Sequence, residues 1–156
     1  MTIDEKATVN NKVQIRNILV PIDGSECSLD AAKYATRIAK NENAQLFCIH
    51  VMTNVPYGYT DSLPAIDVYF KDIEEKVQSW FDKVRDMAKA EGIKLNTENF
   101  TDVKSVIRSI IDYANSKDID LIVIGTRGRT GLKRLLMGSV ANGVVQHALC
   151  SVLLVR

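Results

Sequence analysis

Strand-like apolar runs alternating with helix-like periodic segments predict an α/β fold: a doubly wound, five-stranded parallel sheet with helices on both faces. Three observations carry this expectation. The segments follow one another as β-α-β-α-β-α-β-α-β along the 156 residues. Three of the runs, Ile18 to Ile22, Gln45 to Met52 and Asp120 to Gly125, are apolar nearly throughout, as strands covered on both faces are. Turn-forming or glycine-rich stretches follow their carboxyl ends, where open sheets of this class take their ligands.

Residues 1–14 are polar without periodicity and read as a flexible leader, which leaves residues 15–156 as one domain. The run from Ile15 to Ile22 ends in Asp23-Gly24-Ser25, a strand feeding a turn. Ala31, Ala32, Ala35, Ile38 and Ala39 then recur at helical spacing, giving a helix whose small face can lie close on a sheet. After the strand from Gln45 to Met52, residues 53–65 hold Pro56, Gly58 and Pro64 and predict a long loop of the kind that is functional or mobile. Ile66, Phe70, Ile73, Val77, Trp80, Phe81, Val84 and Ala88 mark one buried face of a long helix closed by Gly92. Ile93 to Phe100 alternates like a half-exposed strand. Val103, Ile107, Ile110 and Ala114 give a third helix, with Asp102 placed to cap it. A fourth helix is expected from about Ser139 to Ala148, and a last strand from Ser151 to Val155.

Composition narrows the function. A net charge of +1, from 20 Lys plus Arg against 19 Asp plus Glu, argues against general nucleic-acid binding, which shows as a basic excess. No apolar run approaches the ~18 residues of a membrane span, and the first residues lack the apolar core of a signal peptide. A cytoplasmic location is the expectation. Cys27, Cys48 and Cys150 form no CxxC pair and read as small buried hydrophobes. His50 and His147 stand alone in or beside apolar segments and read as structural residues.

The chemistry concentrates in residues 125–139, which carry Arg127, Arg129, Lys133 and Arg134 and no acid. Gly125 and Gly128 permit positive φ and let an anion approach backbone amides. Gly138-Ser139 opens a helix whose unpaired amides and positive dipole end suit a phosphate. The Walker pattern fails because Thr130 stands where its second glycine is required, and no two glycines are separated by a single residue as GxGxxG demands.

The spacing Gly125-x2-Gly128-x9-Gly138-Ser139 resembles the nucleotide-binding signature of the universal stress protein family, in its ATP-binding branch. The resemblance extends over Ile18 to Ser25, Ile49 to Val51, Asp120 to Gly128 and Val152 to Val155. It implies a Rossmann-like nucleotide-binding domain that holds ATP with Mg2+ or Mn2+. Pro21, Ile22 and Asp23 would border the adenosine, with Asp23 near the ribose or a phosphate-bound metal. Val51 would pack on adenine. Ile124, Gly125, Arg127 and Gly128 would line ribose and phosphates, and Gly138, Ser139, Val140 and Ala141 would hold phosphate at the helix start. The chain departs from the family at Ala141, where a hydroxyl residue is common. It also lacks the usual turn proline at Thr101-Asp102-Val103 and the usual proline near Leu149-Cys150-Ser151.

Blander roles stand beside these: Asp23 or Ser139 as plain helix caps, and the basic run as a solvated loop. No catalytic residue is assigned, because no Cys/His or Ser/His/Asp arrangement is legible. The leading function is a nucleotide-dependent regulatory or stress-response protein with at most slow ATP turnover. The alternatives are an adenine-nucleotide hydrolase or phosphotransferase, with Thr130 or Ser139 as possible acceptors, and a dimeric interaction module that binds no nucleotide. Val152 to Val155 is an apolar run expected at a sheet edge without the usual protections, which predicts a homodimer through this last strand.

Overall fold

A computed structural model of the protein describes residues 14–53, 63–128 and 137–156, the side chains of residues 63–66 and 102 excepted. Nearly all of the expected leader, most of the 53–65 loop, and Arg129, Thr130, Lys133 and Arg134 lie outside the described residues. The elements run β1 (Asn17–Pro21), α1 (Glu26–Glu42), β2 (Gln45–Thr53), α2 (Leu63–Ala90), β3 (Leu95–Val103), α3 (Val106–Ser116), β4 (Leu121–Gly125), α4 (Ser139–His147) and β5 (Ser151–Val155). The sheet order is β3-β2-β1-β4-β5 and every neighbouring pair is parallel. Chain progression therefore reverses between β1 and β4, which leaves a crevice beyond their carboxyl ends.

Two apolar layers fix the helices on the sheet. On one face Ala31, Ala32 and Ala35 of α1 and Val77, Phe81 and Val84 of α2 pack on Ile18, Val20, Leu46 and Val123. On the other, Ile110, Tyr113 and Ala114 of α3 and Ala141 and Val144 of α4 pack on Leu19, Ile49, Ile122 and Ile124. Ile18, Leu19, Leu46, Ile49, Ile110 and Ile122 are fully buried, and such a side chain contributes about 1.5–3 kcal/mol. The alanines of α1 and the β-branched strands are thus two parts of one device, a thin helix face against a bulky sheet.

Helix ends follow local chemistry. Ser25 caps α1 by accepting from Ser28 N, and Asn43 closes it in the left-handed region at φ 55°. α2 ends at Ala90, and Gly92, at φ +67°, turns the chain so that Ile93 N donates to Ala88 O. The cap of α3 is Ser105, not Asp102: β3 runs on through Asp102 to Val103, and α3 begins only at Val106. An alternating strand and a helix start overlap in residues 101–106, and pairing with β2, as far as Thr53↔Val103, wins. Cys27 and Cys48 are buried and Cys150 is half-buried, all three as free thiols.

Candidate functional site

The loop after β1 is built around a carboxylate. Asp23 Oδ1 accepts from Ser25 N at 3.0 Å and from Ser25 Oγ at 2.5 Å, while Asp23 N donates to Ser28 Oγ at 3.3 Å. Ser25 Oγ in turn accepts from Ser28 N, so one hydroxyl both caps α1 and orients Asp23. Asp23 is therefore not itself the cap of α1.

The loop after β4 is built around close approach. Thr126 N donates to Val155 O, and Gly138 N donates to Thr126 O, both at 2.7 Å, which staples the start of α4 to the end of β4. A Cβ on Gly125 would stand 3.0 Å from the backbone and Sγ of Cys27, and one on Gly138 would stand 3.2 Å from Thr126 O. Among the described residues the glycines with positive φ are Gly24 and Gly92. Gly125 is thus set by its proximity to the α1 backbone and Gly128 by its proximity to the Asp23 carboxylate, and neither by the positive φ the sequence suggests.

The N-cap of α4 is Gly138, which has no side chain to offer, and Ser139 is the first helical residue. This corrects the reading of Ser139 as a cap. It also sets α4 apart from α1 and α3, whose caps are serines that accept an amide of the first turn. The first-turn amides of α4 open on the crevice with the positive end of the helix dipole behind them.

All twelve residues that the resemblance assigns to a nucleotide line one open cavity of about 300 Å³ in that crevice. Pro21, Ile22 and Asp23 come from the end of β1 and its loop, Val51 from β2, and Ile124, Gly125, Arg127 and Gly128 from β4 and its loop. Gly138, Ser139, Val140 and Ala141 come from the start of α4. Four further residues complete the lining: Ser28, Thr126, Val106 and Ile110. Thr126 was within reach of the sequence, since it lies inside the glycine segment already singled out, whereas Ser28 lies in the first turn of α1, beyond the turn at residues 23–25. Val106 and Ile110 were out of reach too, because their spacing is that of an ordinary core face, and the cavity borrows one edge of that face.

The cavity is therefore apolar along Val51, Val106, Ile110 and Ile124, and polar where the two loops and α4 converge. Arg127 is exposed at the rim. A mainly apolar cleft with a few convergent polar groups is the usual form of a small-molecule site. Neither histidine lines the cavity, and each has a backbone partner: His50 Nδ1 on Ile22 O and His147 Nδ1 on Gly143 O, both at 2.8 Å. Among the described residues no group of three or more His, Cys, Asp or Glu gathers as a metal site, and no helix is long and apolar enough to cross a membrane.

Comparison with known proteins places this geometry. Residues 14–156 match the model of the universal stress protein family. The universal stress protein MJ0531 of Methanocaldococcus jannaschii is 37% identical over 147 residues, covering 94% of this chain and 85% of its own length. Among solved structures, the universal stress protein UspA from Lactobacillus plantarum superposes with a TM-score of 0.73 at 30% identity, covering 92% of this chain and 99% of its own. The universal stress protein from Archaeoglobus fulgidus in complex with dAMP shares the fold at 22% identity, with a TM-score of 0.65 over 92% of this chain and 99% of that one. Across its described sheet and along nearly its whole length, the chain belongs to the universal stress protein family.

Proposed function

We propose that the chain is a cytoplasmic adenine-nucleotide-binding regulator that takes ATP with Mg2+ or Mn2+ and turns it over slowly at most. The observation that carries this reading is the convergence of β1, β4 and the uncapped start of α4 on one cavity. Val51, Val106, Ile110 and Ile124 offer a purine an apolar wall. Gly128 and Gly138 leave room for phosphate oxygens against backbone amides, and Arg127 and Ser139 add donors at the same end. The relative from Archaeoglobus fulgidus, which holds dAMP, supports the same ligand class.

The residues present fit a phosphate-bound divalent ion better than a protein-held one. Asp23 is the carboxylate among the described lining residues, and Mg2+ is commonly held by one or two carboxylates plus phosphate oxygens. When bound, the ion would neutralise phosphate charge, while Ser25 keeps Asp23 turned in one orientation.

Regulation further requires something to read the bound state, and the edge position of β5 supports a second copy of this chain as the first partner. Denaturing the purified protein and chromatographing what is released tests the central claim, together with calorimetric titration of ATP and Mg2+. Release of an adenine nucleotide, or a saturable isotherm, is the expected result. A protein that releases none and binds none at millimolar ATP would instead be an interaction module.

A further inference from the structure

The segment that carries Asp23 over the end of the sheet is held from behind, on the side away from the cavity. His50 Nδ1 lies 2.8 Å from Ile22 O, and since a carbonyl oxygen only accepts, Nδ1 carries the proton and donates. The His50 ring, 5% exposed, meets the Trp80 ring edge-on, with centroids 5.4 Å apart and planes at 74°. Trp80 then fills the space over Gly24, where a Cβ would stand 2.1 Å from Cε2 of the indole. Gly24 sits at φ +79°, so both its backbone and its missing side chain suit this packing. Ile22 and Gly24 are the two chain neighbours of Asp23. Each is clamped by one of two rings in mutual contact.

Neither ring lines the cavity. Trp80 packs on the α1–α2 layer, whereas Val51, Val106 and Ile110 belong to the α3–α4 layer on the opposite face. We propose that His50 and Trp80 are positioning residues for the nucleotide site, setting the height and direction of Asp23 and carrying the occupancy of the cavity through Gly24 into α2. This rests on the nucleotide reading above. The physical reason is stiffness: a hydrogen bond and a filled contact on either side leave Asp23 little freedom except to move with the rings.

Trp80 is the single tryptophan of the chain, so all tryptophan emission comes from the ring that packs on Gly24 and His50. The full-length protein is titrated with ATP and Mg2+ by fluorescence and by calorimetry in parallel. The expected result is a saturable change in Trp80 emission that tracks the calorimetric isotherm. His50→Leu should weaken ATP binding by about five- to tenfold, the scale of one lost hydrogen bond. His50→Asn, whose amide nitrogen replaces the Nδ1 donor, should recover most of that loss. Val84→Ala, one turn further along α2 and fully buried in the core, should lower the melting temperature and leave affinity unchanged. Unchanged emission at calorimetric saturation, or unchanged affinity in His50→Leu, overturns the proposal, and the wild-type titration decides even if a variant fails to fold. Absence of any wild-type isotherm is a separate outcome, which removes the nucleotide reading and this inference with it.

Discussion

A Cβ on Gly128 would stand 2.9 Å from Oδ2 of Asp23. The loop after β4 and the loop after β1 thus meet across the mouth of the cavity, with one glycine as the spacer between them. Gly128→Glu should abolish ATP binding, because it sets a second carboxylate against Asp23 in the place proposed for phosphate. Gly128 is exposed, so the fold should persist. Calorimetry on the variant, with circular dichroism to show that it is folded, checks both statements, and undiminished affinity would remove the site assignment.

Turnover should be slow. Asp23 is already engaged by Ser25, and the described lining residues include no histidine, lysine or cysteine to act as a base. Hydrolysis of ATP with Mg2+ or Mn2+ is expected well below the ~1 s⁻¹ low end of typical enzymes. A fast rate lost in Asp23→Asn would reassign the chain to the hydrolases.

The edge strand gives a third prediction. Thr126 N donates to Val155 O, so the backbone of Val155 faces β4, and by the alternation of a parallel ladder the backbone of Leu154 faces outward. Leu153 packs on the core, while Leu154 is 38% exposed. Leu154→Pro therefore deletes an outward donor and leaves the pairing of β4 with β5 intact. Sedimentation should show a dimer for the wild type at micromolar concentration and a monomer for the variant. A monomeric wild type would end the assembly proposal.

A fourth concerns alkaline pH. Burial, and then the hydrogen bond to Glu98 Oε1 at 2.8 Å, raise the Tyr113 phenol above its ordinary 10.0, and burial raises the Cys48 thiol above 9.0. A group raised on folding contributes stability that is full below its unfolded value and is lost as pH climbs towards its folded one. Urea midpoints should therefore hold to about pH 9 and fall beyond it. Tyr113→Phe should be less stable at neutral pH, having lost the Glu98 bond, yet show a shallower alkaline decline. An unchanged slope would show that Tyr113 does not carry the effect.

Sheet and site were legible in the sequence for different reasons. β1, β2 and β4 announce themselves because strands buried on both faces tolerate almost no polar residue, and Ser151–Val155 comes out at the expected bounds. The glycine spacing marks the proposed phosphate end because a Cβ on Gly128 would crowd the Asp23 carboxylate and one on Gly138 would crowd Thr126 O. Periodicity fails where two patterns share residues. Val103 fits both a helix face and a strand, and only tertiary pairing with Thr53 decides. It fails again where one face has two uses, since Ile110 is 1% exposed and packs in the core while also edging the cavity. The contact between Gly24 and Trp80, 56 positions apart, has no local signature at all.

The glycine cap of α4 has a thermodynamic consequence. Because Gly138 supplies no side-chain acceptor, the first turn of α4 should open at lower cost than the serine-capped turns of α1 and α3, and the amides of Val140 and Ala141 should exchange their hydrogens sooner than the amides there. An anion seated there supplies the missing acceptor and closes the turn. Any such ligand favours the native state over the unfolded one, by about 2.7 kcal/mol at a hundred times its dissociation constant. Ligand concentration and resistance to unfolding then become a single quantity for this chain, and the lifetime of the protein in a cell would rise and fall with the supply of whatever fills the cavity.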